Sequence, residues 1–231
     1  MSSHSEPTTT QVGAHSIDFF SLPREVRQII YERVLSVPFV LHIFQDPGCS
    51  VELFAPRKPY AWLSLLYVNR LVSEEARSAF YGTNWVTFME VEKIQPPGTL
   101  LKSFLKTIGP VNGSFLSRIA INFPATEIIE GYPEIIEIRK ETLQSLRLLQ
   151  KGFVGLKTIE LLIFNRTTRR LVEEDQIIHA SARNALLKIN VELRAIPSLN
   201  TIAVRYTSGS PGPSAKAFLE KLQWSVLFGD R

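Results

Sequence analysis

The spacing of apolar residues changes several times along the chain, and each change marks an element. Val26, Ile29, Ile30, Val34 and Leu35 recur at steps of three and four and form one stripe of a helix. Ser21-Leu22-Pro23 supplies its start, with Ser21 as N-cap and Pro23 in the first turn, where a missing N–H costs nothing. Pro38 closes it. Leu22, Val26 and Ile30 are expected to be mostly buried against the next helix. Phe39 to Phe44 and Val51 to Phe54 are short, apolar and β-prone, and Asp46-Pro47-Gly48 between them is turn chemistry, so the spacing predicts a hairpin. A second helix is predicted over 62–80, with Leu65, Leu66, Val68, Val72, Ala76, Ala79 and Phe80 on a broad face. Gly82 ends it, and a strand follows over 85–89.

The remainder repeats a pattern. Leu116-Ser-Arg-Ile119-Ala-Ile121, Leu156-Lys-Thr-Ile159-Glu-Leu161 and Leu199-Asn-Thr-Ile202-Ala-Val204 share one frame and begin 40 and 43 residues apart. Each reads as a strand. Helical patterns precede them: 99–108, 134–150 (Ile135, Ile138, Leu143, Leu146, Leu149) and 176–193 (Ile178, Ala182, Leu186, Ile189, Leu193). Helix followed by strand, repeated, implies parallel strands joined by crossovers, and the period is that of a short solenoid. After the loop Ser208 to Pro213, an amphipathic helix carrying Phe218, Leu219, Leu222 and Val226 is expected to cap the open end. The predicted organisation is a tail over 1–16 with little to bury, a module over 17–89 and a helix–strand region over 90–231.

Ser21-Leu22-Pro23-Arg24-Glu25-Val26-Arg27-Gln28-Ile29-Ile30-Tyr31 resembles the opening of an F-box. With Glu75-Ala76-Arg77 and the ending Phe80-Tyr81-Gly82-Thr83-Asn84, the stretch from Ile17 to Met89 is similar to the fungal F-box-like proteins with a two-EXR domain, named for twin Glu-x-Arg motifs. Here 37–60 separates the two helices by more than in a standard F-box, and Val68-Asn69-Arg70 stands where Val-Cys-Arg is typical. The resemblance implies an F-box-like module of helices and a hairpin, followed by a leucine-rich-repeat-like set. It also implies docking on the Skp adaptor of a cullin ubiquitin ligase through Leu22, Pro23, Val26, Ile29 and Ile30. The C-terminal region would then present a substrate. Residues two apart point to different sides of a helix, so Glu and Arg within one motif do not pair. Pairing between helices, Glu25 with Arg77 or Arg27 with Glu75, is the geometric option. The alternative is four solvated charges worth at most about 1 kcal/mol.

Composition narrows the function classes. The net charge of +4 is too small for a chain that holds nucleic acid by its phosphates. Cys49 is the only cysteine, so no disulfide forms within the chain, and a reducing cytoplasmic or nuclear setting is expected. Met1 to Ser16 lacks the basic start and apolar run of a signal peptide, and 37–44 is too short to span a bilayer. The sequons at Asn112 and Asn165 are then chance matches. His4, His15, His42 and His179 make no metal-ligand spacing, and neither a Gly-rich phosphate loop nor a Gly-x-Ser-x-Gly elbow occurs. Asp175 and His179 lie one helical turn apart and read as a solvated surface pair. Cys49 reads as a plain loop cysteine. Arg166, Arg169 and Arg170 are followed at once by Glu173, Glu174 and Asp175, so their charges cancel at a distance.

The expectation is a mixed α/β protein with no catalytic residues, metal or cofactor. It acts as a protein-interaction module, with a ligase adaptor role as the reading the resemblance implies. The rivals are a stand-alone binding protein with no ligase link, an enzyme of unrecognised type and, third, a nucleic-acid binder, which binding that weakens steeply with salt would support. The oligomeric state is left open. Alternation along the strands also predicts a working surface. With Ile119, Ile121, Ile159, Leu161, Ile202 and Val204 facing the helices, two rows turn away from them: Ala120, Glu160, Ala203, and Asn122, Leu162, Arg205. Asn122, Glu160, Leu162, Ala203 and Arg205 are the expected exposed substrate-facing residues; Leu162 and Phe164 are the apolar exceptions, either contact anchors or, the favoured alternative, covered by the N-terminal hairpin or a loop.

Overall fold

The computed structural model describes residues 18–57, 61–88, 90, 98–164 and 180–229. Within them the three shared frames become three adjacent parallel strands, β4 (Arg118–Asn122), β7 (Thr158–Ile163) and β8 (Thr201–Tyr206). Their register matches the sequence frame: Ile119, Ile159 and Ile202 stand side by side, as do Ala120, Glu160 and Ala203, then Asn122, Leu162 and Arg205. The three isoleucines are fully buried, because each faces the helix layer from a strand flanked on both sides.

The hairpin strands β1 (Leu41–Phe44) and β2 (Glu52–Phe54) pair antiparallel, and Gly48 takes the left-handed turn position between them. Sequence spacing gave no sign that β1 would also pair in parallel with β3 (Trp85–Phe88), which lies beside β4. The result is a mixed α/β fold whose seven-stranded sheet has the order β2-β1-β3-β4-β7-β8-β9, parallel except at β2. The 17–89 and 90–231 regions therefore share one sheet and one core cluster, running from Tyr31 to Trp224. The predicted tail over 1–16 lies outside the described residues.

The helices are α1 (Arg24–Leu35), α2 (Arg70–Thr83), α3 (Thr99–Phe115), α4 (Lys140–Gly152), α5 (Ala180–Arg194) and α6 (Pro213–Lys221). From α1 to α5 each packs on the next, forming one row along the sheet. No helix among the described residues is long and apolar enough to cross a membrane.

Several boundaries differ from expectation for identifiable reasons. Ser21 closes a short 3-10 turn capped by Asp18, and Pro23 takes the position just before α1. The helix expected over 62–80 is a 3-10 turn, Ser64–Tyr67, and then α2, because the Asn69 side chain accepts from the Val72 N–H and restarts the helix. Gly82 lies inside α2, and Asn84 follows its end. The helix from 99 runs on to Phe115 through a kink at Gly109-Pro110, where Gly109 has φ 76°. Residues 134–138, expected to begin a helix, belong instead to a second hairpin of β5 (Thr126–Ile129) and β6 (Tyr132–Ile138), turning at Gly131 with φ 83°. The terminal cap is α6 plus a strand, β9 (Trp224–Phe228): Gln223 at φ 60° ends the helical path, and Val226 sits in the strand.

Candidate functional site

The N-terminal helix pair is held by the residues that carry the twin motifs. Arg27 donates from Nε and Nη2 to the two Glu75 carboxylate oxygens at 2.9 and 2.6 Å, and from Nη1 to the Leu22 carbonyl at 2.7 Å. Both side chains are nearly buried. At the other end Asn84 Nδ2 donates to the carbonyls of Leu35 and Phe80, each at 2.9 Å, and its Oδ1 accepts from the Val37 N–H at 2.9 Å. Residue 27 meets 75 and residue 35 meets 84, so α1 and α2 run parallel. Of the two pairings open to the motifs, the Arg27–Glu75 one forms. Glu25 is exposed, Arg77 is half-buried, and no ion pair joins them.

The pair is electrostatically tight. The Arg27 hydrogen bonds hold the Glu75 carboxyl below its ordinary range, against burial acting the other way, and Glu75 raises the Arg27 guanidinium in turn. Burial and then the nearby Glu75 carboxylate push the Tyr31 phenol up. Tyr31 and Leu35 are the residues of α1 that reach the core, and Phe19 packs edge-on against Tyr31.

That choice of inward face turns much of the apolar stripe outward. Val26 is 39% exposed, Ile29 57% and Val34 51%, whereas Leu22 and Ile30 are half-buried and Pro23 is exposed. The expectation that Leu22, Val26 and Ile30 would form a packed two-helix core is corrected here. Arg27, Tyr31 and Leu35 occupy the seam instead, and Val26 and Ile29 point away from it. Phe20, Tyr67, Val68 and Leu71 are exposed as well. Leu71 lies one turn before Glu75 and so at the same end of the helix pair as Pro23.

The face of the sheet opposite the helices has the expected rows but not the expected exposure. Ala120, Glu160, Leu162 and Ala203 are all buried, and only Asn122 and Arg205 keep part of their surface. The side chains satisfy one another. Arg205 makes a two-point contact with Glu160, with Nη2 to Oε2 at 3.2 Å, and its Nη1 reaches the Gly229 carbonyl at 3.1 Å. Asn122 Nδ2 donates to the Glu90 carbonyl at 2.8 Å. Phe164, expected under cover, is 57% exposed.

A small cavity of about 50 Å³ opens where the carboxyl ends of β3 and β4 meet the start of α3 and one side of α4. Glu90, Asn122, Thr142 and Ser145 supply its polar lining, and Phe88, Leu101, Leu146 and Leu149 part of its apolar wall. Of the residues weighed for catalysis, Cys49 sits exposed in the β1–β2 turn. His42 is on β1 near the Phe54 ring, with burial lowering its pKa. Asp175, His179 and the Arg166 to Arg170 cluster lie outside the described residues. Among the described residues no three His, Cys, Asp or Glu side chains converge as a metal site.

No family model, curated protein or solved structure matches the chain.

Sequence reasoning named Asn84 only as the last letter of a motif; its role in tying two helices together needed the fold. The cavity was missed altogether, because Glu90, Asn122 and Thr142 stand far apart in the chain, on a loop, a strand and a helix. Position alone carried a signal for it, since ligands of parallel sheets bind beyond the carboxyl ends of the strands.

Proposed function

We propose that this chain is a non-enzymatic protein-interaction module of the F-box-like kind, and that the outward apolar face of α1 docks on a Skp-type adaptor of a cullin ubiquitin ligase. The observation that carries the reading is the exposure of Val26, Ile29 and Val34 on a helix otherwise locked in place by Arg27 and Asn84. Three apolar side chains exposed on one fixed helix, with Arg27 turned into the seam in their place, form a patch of the kind that marks an interaction site. Leu22, Pro23 and Ile30 border that face. The in-phase strands β4, β7 and β8 fit a short leucine-rich-repeat-like region behind it. Because the far face of the sheet is largely buried, Asn122, Glu160, Leu162, Ala203 and Arg205 have no part in the docking surface proposed.

The experiment is a pulldown with purified Skp adaptor. Wild type should be retained, and Ile29→Asp should lose binding with its melting temperature unchanged, because Ile29 already faces solvent. An Ile29→Asp variant that melts much lower would place Ile29 in the core and sink the reading. Failure of the wild type to bind the adaptor would favour a stand-alone binding protein with no ligase link.

A further inference from the structure

Thr142 is 6% exposed and lines the cavity beyond β3 and β4, yet its hydroxyl has no hydrogen-bond partner. Thr83, Thr107 and Ser145 each donate to the helical carbonyl four residues back, at 2.8, 2.9 and 2.9 Å. Thr142 stands in the first turn of α4, and the residue four back, Ile138, ends the strand β6, so no helical carbonyl lies behind it. A buried hydroxyl left unbonded is costly, so its presence at the wall of a cavity points to something that bonds it there. Gly98 keeps that space narrow. It begins α3 with φ 82°, and a Cβ there would collide with Ser145 Oγ on α4.

The neutral groups of the lining specify the class. Asn122 Nδ2 is committed to the Glu90 carbonyl, which leaves its Oδ1 as an acceptor. Ser145 donates to the Glu141 carbonyl, which leaves its oxygen as a second acceptor. The Glu90 carboxylate receives the Gly98 N–H, at 3.0 and 3.1 Å, and serves the start of α3. The complement to this set is a head that donates to Asn122 and Ser145 and accepts from Thr142, with no charge required of it. A primary carboxamide has both sides, two N–H donors and a carbonyl acceptor. Phe88, Leu101, Leu146 and Leu149 line the walls for the carbon behind it. The volume of about 50 Å³ has room for about four non-hydrogen atoms, which is the carboxamide and one carbon, each taking about the space of a water. We propose that this cavity binds a primary carboxamide, with its NH₂ toward Asn122 Oδ1 and Ser145 Oγ, its carbonyl accepting from Thr142, and its carbon chain leaving through the open side. An Asn or Gln side chain of a protein partner and a free small amide share that chemistry. The proposal does not depend on the docking of α1.

The test is amide chemical-shift titration of the full chain with butyramide and its two isosteres, butyrate and methyl propyl ketone, at matched ionic strength. Butyramide should shift the amides of Gly98, Leu101, Asn122 and Thr142. The isosteres keep its shape but cannot donate to Asn122, and each should bind at least about tenfold more weakly. Thr142→Val removes the hydroxyl at nearly constant volume and should weaken butyramide by about tenfold, whereas Thr142→Ser keeps the hydroxyl and should stay within about threefold of wild type. If Thr142→Val does not fold, the ranking of the three ligands on the wild-type chain carries the test. Nα-acetyl-glutamine methylamide shifting the same amides, with Nα-acetyl-alanine methylamide silent, would identify a side-chain amide of a partner as the occupant; shifts from butyramide alone would identify a free amide. No shifts at these four amides, as when a water alone satisfies Thr142, would overturn the proposal. So would equal binding of either isostere, undiminished binding by Thr142→Val, or a loss in Thr142→Ser as large as in Thr142→Val.

Discussion

Glu74 and Glu75 are neighbours on α2, and both pair with arginine, yet only one pairing resists water. Glu74 meets Arg70 in solvent, with side chains 62% and 93% exposed, whereas Glu75 and Arg27 are 7% and 12% exposed. Exposed pairs one helical turn apart contribute little, while removing one partner of a buried pair leaves a charge stranded. Glu74→Ala should therefore leave the melting temperature within about a degree of wild type, and Glu75→Gln should lower it by several degrees. Acid supplies a second test. The folded Glu75 pKa lies below its unfolded value of about 4.3, so its contribution is fully present above about pH 5 and is lost as pH falls through the folded value. Thermal scans of Glu75→Gln between pH 6 and 3 should show a shallower acid decline than wild type; parallel declines would mean that Glu75 is not the group responsible. The sequence marked all four motif residues but not which pairing forms. That depends on the relative direction of α1 and α2, and two helices joined by a hairpin turn out to run parallel. With residues two apart facing different sides, each motif then has one member left over, Glu25 in the first and Arg77 in the second.

At the scale of elements, the strands were legible and the ends of the helices were not. Leu-x-x-Ile fixes a strand because both residues are buried in each copy, and the register confirms their equivalence. Ile135 and Ile138 continue the helical phase of Leu143, Leu146 and Leu149, so period alone cannot separate β6 from α4. What separates them is the turn at Gly131, which folds the segment back on β5. The same ambiguity hid β9, because Val226 follows Leu222 at a helical step and only the positive φ of Gln223 breaks the path. The junction of α1 and α2 rests on Asn84, which is buried and makes three hydrogen bonds to backbone groups of both helices and the following loop. At about 1 kcal/mol each, Asn84→Ala should cost about 2–3 kcal/mol in denaturant unfolding. A loss under about 0.5 kcal/mol would show that water replaces the amide and that α1 is held by Arg27, Tyr31 and Leu35 without it.

For the whole molecule the question is whether the region resembling an F-box folds independently of the strands behind it. Repeat-type proteins can lose cooperativity, since each unit touches only its neighbours. Two observations argue against that here. The parallel ladder passes without a break from β1 through β3 to β4, and the buried cluster extends from α1 to β9. Opening the N-terminal part alone would strip one side of β4 and expose Val86, Phe88 and Ile119 together. The chain should then unfold in one transition. Trp62, packed edge-on against Phe80, reports on the first part, and Trp224, bonded through Nε1 to Asn190, reports on the last. Variants that keep one of these tryptophans, with the other and Trp85 replaced by phenylalanine, should give coincident thermal curves. Adding Ile159→Ala, a fully buried position in the central strand β7, should cost about 3 kcal/mol and lower both curves together by on the order of 10 °C. If the Trp62 curve stays in place while the Trp224 curve moves, the boundary near residue 89 is a real division of the fold, and the N-terminal module stands on its own.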